Sequence, residues 1–284
     1  MSADIAVTTA AYGGTGTTPG PASPARLAQI RSVAHDATVD AGTKPGYDDR
    51  LPPLDEDWST GLAVVAHPDD LEYGTASAVA RWTGQGKDIR YLLVTRGEAG
   101  IDNLTPLEAA TVRTAEQVAS AARVGVDVVE FLDHADGLLT PSIALRRDLA
   151  AALRRHRPEV VISSNYRDRW SPGGPFNHAD HRVVGLAVVD AVRDAANRWL
   201  FTDTGLEPWG GVRMICFGGS PEPTHAVDVS DHLAAGIASL REHRAYLAAL
   251  DPDFDPAQFL TANAAAGGAR AGVDHAVLVE VVPV

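Results

Sequence analysis

The chain of 284 residues contains one cysteine, Cys216. A single thiol excludes a disulfide framework and a thiolate cage, so any metal ion must be held by nitrogen and oxygen. Positive charge is also scarce: 24 Lys and Arg stand against 37 Asp and Glu, a formal net charge of −13. That leaves no basic face for nucleic acid or an anionic membrane surface, whereas small neutral ligands remain open. Long apolar runs are missing, and the N-terminus has neither a basic segment nor an apolar signal core. No membrane span is expected, and the expected location is cytoplasmic. No G-x-S-x-G elbow is present either, which disfavours serine-hydrolase chemistry.

What is present is an ordinary globular composition, 45% hydrophobic and 21% charged. The length suits one large α/β domain or two small ones. Residues 1–22 are rich in Gly, Thr, Ala and Pro, with too little apolar bulk to offset the entropy of ordering, and residues 24–36 read as a short helix. Residues 1–50 are therefore expected to be a flexible arm with a short helix, and 51–284 a single domain. From Leu62 onward short apolar runs (LAVVA, IRYLLVT, VDVVEFL, PEVVISS) alternate with amphipathic helical stretches. This rhythm predicts βαβ units and a doubly wound, Rossmann-like, mainly parallel sheet flanked by helices. VRMICFGG and HAVLVEVV are expected to add strands at the sheet edge near the C-terminus, with a long helix from Asp231 to about Leu250 packed outside. The apolar stripe from Leu71 to Ala80 reads as core.

Open sheets of this kind bind ligands beyond the carboxyl ends of their strands. The four loops that leave those ends read AHPDD, TRGEAG, FLDHADG and SSNYRDRW, the last followed by NHADH. All carry ionisable or polar groups. His67 and Asp70 sit three apart at a strand-to-helix turn, and HADH supplies His178, Asp180 and His181. Two imidazoles and one carboxylate are the usual set for a catalytic zinc that keeps a position for water. Asp69 neighbours a ligand yet must point elsewhere, which suits a proton acceptor; the remaining His178 suits a proton donor or oxyanion stabiliser. Taken singly, HPDD is also a turn with an N-cap, and HADH a polar helix start. Together, at strand ends of one α/β chain, they argue for a site. A nucleotide-binding oxidoreductase fails at the first strand, which ends in HPDD where a glycine-rich turn is needed. Trp170, in a long loop after the fourth strand, is a candidate wall for a sugar ring or a loop anchor.

The ordered set His67 to Asp70, Thr95 to Glu98 (T-x-G-E), Arg113 to Glu116 with Val124 and Gly125, Asp136 with Gly137, and His178 to His181 (H-x-D-H) resembles the LmbE-like, or PIG-L, deacetylase family from about Leu62 to Asp231. The resemblance implies a hydrolase dependent on Zn2+ or another divalent metal that removes an acyl group, commonly acetyl, from the amide nitrogen of a small sugar-containing substrate. It implies His67, Asp70 and His181 as metal ligands, Asp69 as general base and His178 as acid or oxyanion stabiliser. Asp180 would orient a ligating histidine, and Glu98 would fix the loop around the ligands. Arg113 and Asp136 match positions that contact sugar hydroxyls, although Arg113 can equally pair with Glu116 along a helix and Asp136–Gly137 is an ordinary turn dipeptide. A mycothiol-conjugate-type amidase, or a non-catalytic metal or small-molecule binding protein on the same fold, are the alternatives. Homo-oligomer formation is left open. Two departures stand out: His243 in EHRAYLAAL lacks the Ser and Gln of the H-x-S-Q found in many relatives, and Gly74 is followed by Thr75 and Ala76 where relatives commonly have glycines. The N-terminal sixty residues lie outside the minimal family domain.

Overall fold

The first apolar run forms β1 (Thr60–Val65), which is buried from Gly61 onward. It is the third strand of a seven-stranded sheet in the computed structural model, which describes residues 50–284. The arm expected over residues 1–50 falls, Arg50 apart, outside the described residues. β2 (Asp88–Leu93) and β3 (Val129–Phe131) follow on one side of β1, and β4 (Val160–Ser164) and β5 (Met214–Gly218) on the other, all parallel. The sheet order is β3-β2-β1-β4-β5-β7-β6. The chain thus leaves β1 toward β2 and returns to its far side for β4, so the order reverses between β1 and β4. This is the expected doubly wound pattern, and it fixes in advance where a ligand belongs.

The helices that cover the sheet come between those strands. α1 (Asp70–Gly74) and α2 (Ala76–Gly84) follow β1, α3 (Pro106–Arg123) follows β2, α4 (Ile143–His156) follows β3, and α5 (Ala179–Ala196) follows β4. α3 starts where its sequence says: Thr105 and Glu108 form a reciprocal capping box, with Pro106 in the first helical position. Successive residues of β1 enter opposite cores, as the two-residue strand period requires. Ala63 and Val65 pack with Val79 and Trp82 of α2, and Leu62 and Val64 pack with Leu145 and Leu149 of α4 and Val184 and Val188 of α5. Both faces of the strand are therefore dry, as in parallel sheets generally.

Local detail departs from the sequence reading in the helices. The helical stretch expected after the first apolar run, Leu71–Gly86, is two helices, divided at Thr75. The helix expected from Asp231 to about Leu250 is also two, α6 (Leu233–Leu240) and α7 (Arg244–Leu250). The break at Arg241–His243 lets His243 turn inward, where it is wholly buried beside Glu72. A further helix, α8 (Pro256–Ala271), lies where the sequence reading places no element. Packing explains Gly267: a Cβ there would stand 2.3 Å from the Ala276 carbonyl oxygen, so only glycine lets α8 lie this close to β7 (Ala276–Pro283). β7 runs antiparallel between β5 and the short outermost β6 (His225–Asp228).

Cys216 lies on β5 with no exposure, and burial pushes its thiol up to about 12. The native protein is therefore expected to resist a thiol reagent such as DTNB at pH 8 and to release one equivalent only after denaturation. Rapid labelling of the native state would show that this side of the sheet is not enclosed.

Candidate metal centre

The switch point gathers the two histidine-and-aspartate segments from opposite sides. His67 leaves the end of β1, and His181 lies in the first turn of α5 beyond β4. His67 Nδ1 and His181 Nε2 are 3.2 Å apart. Asp70 Oδ1 is 2.9 Å from His181 Nε2 and 3.7 Å from His67 Nδ1. Three donor atoms from segments more than a hundred residues apart thus face one small space. The other oxygen of Asp70 accepts from the backbone N–H groups of Ala66 and His67, at 3.0 and 2.9 Å, which locks the turn that presents it.

The far side of each imidazole is held as a ligating ring requires. His67 Nε2 is 3.0 Å from Asp136 Oδ1 and 3.2 Å from Asp180 Oδ2. Asp180 also accepts from the N–H groups of Gly137 and Leu139, and Asp136 from that of Ala99. Glu98 accepts from Asp136 N and Arg96 N, tying the loops after β2 and β3 together. His181 Nδ1 faces Asn177 Oδ1 at 3.0 Å, and the Asn177 amide in turn donates to the carbonyls of Asn165 and Arg167. Asn177 did not stand out in the sequence; the available signal was its place one helical turn before a candidate imidazole, which needs an acceptor for its second nitrogen.

The charge balance tests whether a cation fits. Burial disfavours a proton on His67, yet Asp70, Asp136 and Asp180 outweigh it and raise that imidazole well above its ordinary value. Burial likewise pushes Asp70 up, but His181 and His67 hold it well below the usual carboxylate range. The first shift says that the carboxylates favour positive charge where the three donors converge, and the second that Asp70 stands there as an anion. An aza-and-oxygen donor set with that preference fits a divalent ion such as zinc. The same carboxylates would repel a pyrophosphate.

Asp69 is set apart from this cluster. Its φ of 100° is in the left-handed region, a strained choice for a non-glycine residue. Gln117 Oε1 accepts its N–H at 3.0 Å, and Arg113 Nη2 reaches its Oδ1 at 3.1 Å. Its side chain makes no helix cap, despite the N-cap position. Burial raises its carboxyl, with Arg113 opposing the shift and Asp70 adding to it. Arg113 is itself buried, donates to the carbonyls of Gly97 and Pro68 as well, and lies under the Tyr246 ring at 4.2 Å. It makes no pair with Glu116, which accepts from Ala245 N. Gly97, at φ 66°, is needed for this approach: a Cβ would stand 2.3 Å from Arg113 Nη1. His178 occupies the N-cap of α5, where its Nδ1 accepts from Asp180 N at 3.2 Å. Its ring meets that of His67 edge-on at 5.0 Å, and burial, with the charges of His67 and His181, lowers its basicity.

These groups open into one cavity of about 550 Å³, which His67, Asp69, Asp70, Arg113, Asp136, His178 and His181 line together. Trp170 lines it too, edge-on to His181 at 5.4 Å. Asp180, Glu98, Gln117 and Asn177 support it from behind. Asp136 and Arg113, expected at the substrate, are both engaged with protein groups, Asp136 with His67 and Arg113 with Asp69.

Comparison with known proteins gives an independent view. The family model described as PIG-L, GlcNAc-PI de-N-acetylase, matches residues 62–192. A diacetylchitobiose deacetylase from Thermococcus kodakarensis is 30% identical over 188 residues, 64% of this chain and 68% of the relative. A 1D-myo-inositol 2-acetamido-2-deoxy-α-D-glucopyranoside deacetylase from Kineococcus radiotolerans is 32% identical over 181 residues, 52% of this chain and 48% of the relative. Among solved structures, an N,N'-diacetylchitobiose deacetylase from Pyrococcus horikoshii, complexed with an inhibitor, superposes with a TM-score of 0.73 at 24% identity, over 90% of this chain and 92% of that one.

The loop that carries Trp170 and Asn177 is moored at Glu280 of β7. Glu280 accepts from Tyr166 Oη at 3.1 Å, Arg167 Nη2 at 2.5 Å and Ser220 Oγ at 2.5 Å. Burial pushes this carboxyl up, but Arg167 and Ser220 outweigh it and hold it below the ordinary value. A depressed folded pKa stabilises above the unfolded value, roughly 4.3, and that contribution is lost as pH falls through the folded value. Glu280→Gln should therefore lower the melting temperature at neutral pH, with the gap from wild type closing below about pH 4. A gap that does not change over that range would mean the carboxylate charge is not what moors the loop.

Proposed function

The chain belongs to the PIG-L family, and from that premise we propose that it is a metal-dependent N-deacetylase acting on a small, acetylated amino-sugar derivative. One observation carries the proposal: His67 Nδ1, Asp70 Oδ1 and His181 Nε2 lie within 3.7 Å of one another, beside the buried carboxyl of Asp69, at the sheet's switch point. The named relatives, deacetylases of diacetylchitobiose and of a 2-acetamido-2-deoxyglucopyranoside, support the substrate class. No helix among the described residues is long and apolar enough to cross a membrane.

In this reading His67, Asp70 and His181 hold a divalent ion, zinc by the character of the donors. Such an ion, when bound, polarises an amide carbonyl and acidifies water to a pKa of roughly 7. The chain's own residues do the rest. Asp69 takes the proton of the attacking water; its burial makes it a stronger base than an exposed aspartate, and its bond to Arg113 fixes its direction. His178, at the positive end of α5, donates a hydrogen bond to the developing oxyanion or a proton to the departing amine. Asp136 and Asp180 keep His67 in the tautomer whose Nδ1 is available, and Asn177 does the same for Nε2 of His181. Trp170 offers an aromatic face beside the centre for a sugar ring.

The test is release of free amine from N-acetylglucosamine derivatives by the purified protein. Chelation should abolish release and added zinc restore it; turnover indifferent to chelation would overturn the scheme. Asp69→Asn should keep stoichiometric metal by elemental analysis while losing roughly 10²–10⁴ in turnover, the usual scale for a positioned base. His181→Ala should lose the metal itself, and a variant that kept both metal and activity would remove His181 from the ligand set. Full metal occupancy with no turnover on any amide would favour the binding-protein alternative.

A further inference from the structure

The cavity has two chemistries. Around the three donors its wall is polar and charged, whereas the part built by α6, α8 and β7 presents Leu233, Phe259, Leu260, Ala264, Val277 and Leu278. From α8 and β7 only Asn263 adds a polar side chain to that wall. The surface is braced: Tyr73 and Phe254 flank Phe259 with ring centroids 5.7 and 5.6 Å away, and Tyr73 and Phe254 lie 5.9 Å apart. Phe259, Val277 and Leu278 nonetheless stay partly exposed, on well-formed elements and inside a cavity. The Tyr73 hydroxyl, also on the cavity, is buried without a hydrogen-bond partner.

A sugar hydroxyl placed against such a wall loses water and finds almost nothing to replace it. An acetyl group brings a single methyl, far too little to cover the wall. We propose that this chamber receives an alkyl or aryl arm of several carbons, carried by the same substrate whose amide nitrogen lies at the metal centre. The inference rests on the deacylase reading for the polar end and adds the chemistry of the other end. The arm is either an acyl chain longer than acetyl or an apolar group attached on the amine side. Continuity of the chamber with the centre means that one molecule can fill both.

Two series of compounds decide between the sources. One is N-acetyl-, N-butyryl-, N-hexanoyl- and N-octanoylglucosamine; the other is N-acetylglucosamine carrying methyl, butyl, hexyl or octyl glycosides. Dissociation constants are measured by calorimetry on zinc-loaded Asp69→Asn protein, and amine release on wild type. Burial of each methylene should tighten binding roughly three- to fourfold until the chamber is full. Along one series, the six-carbon compound should bind at least tenfold more tightly than the shortest, and the series that shows the gradient names the side. Ala264→Phe, which fills the chamber, and Leu278→Asn, which makes it polar, should each flatten the gradient; melting curves identify a variant that fails to fold, and the other then decides. Flat or weakening binding along both series overturns the inference, as does a gradient that survives in both folded variants. Amine release without a gradient leaves the deacetylase reading intact, and a gradient without amine release removes that reading but not the chamber.

Discussion

Everything at the carboxyl end of this sheet is arranged around a concentration of negative charge that cannot be left unanswered. Asp70, Asp136 and Asp180 all reach the His67 ring, and each is largely withdrawn from water. In a low-dielectric site such an assembly is unstable without a compensating cation. The backbone amides that end on Asp70, Asp136 and Asp180 distribute the charge but do not cancel it. A divalent ion among the nitrogen and oxygen donors would cancel it, and the loops after β1, β2, β3 and β4 are best viewed as one electrostatic unit.

The adjacent pair Asp69 and Asp70 shows what that unit demands of the backbone. Two consecutive carboxylates must serve different spaces, Asp70 turned toward the imidazoles and Asp69 toward Arg113 and the cavity. An ordinary helical start would cap α1 with the first of them. The left-handed φ of Asp69 redirects it instead, at a conformational cost of about 1–3 kcal/mol. Gln117 and Arg113, both from α3, hold the strained residue from behind. The helix after β2 is therefore part of the site's foundation although it carries none of the candidate ligands.

The parts of this organisation that are legible in the sequence are those with a strong local code. The alternation of short apolar runs with helical stretches gives the fold class, and the strand ends then point to the site. The H-x-D-H and HPDD segments suggest a chemistry only jointly, because each alone is also an ordinary turn or helix start. What was hidden depends on distance in space. Nothing near Gln117 in the sequence shows that it supports Asp69, and Asn177 offers only its place one helical turn before His181. Arg113 and Asp136, read as reaching a sugar, do line the cavity, and what spacing does not reveal is that each also bonds inside the protein, Arg113 to Asp69 and Asp136 to His67. α8 has no counterpart in the sequence reading, and its glycines answer to close backbone approach, Gly267 to Ala276 of β7 and Gly268 to Val273 and Asp274 before it, not to local propensity. The division between α6 and α7 was concealed, since it exists to bury His243.

The position of β7 has a consequence for how the chain is made. β5 and β6 both pair with β7, and both precede it in the sequence. On the ribosome, β5 can dock beside β4 early, but its outer edge stays open, and β6 has no strand to join, until Ala276–Pro283 has been synthesised. An uncovered edge of Ile215, Cys216 and Phe217 is the kind of surface that neighbouring nascent chains can pair with. Completion of this half of the protein thus waits on β7, and chaperone protection would matter most in the interval before that strand is made.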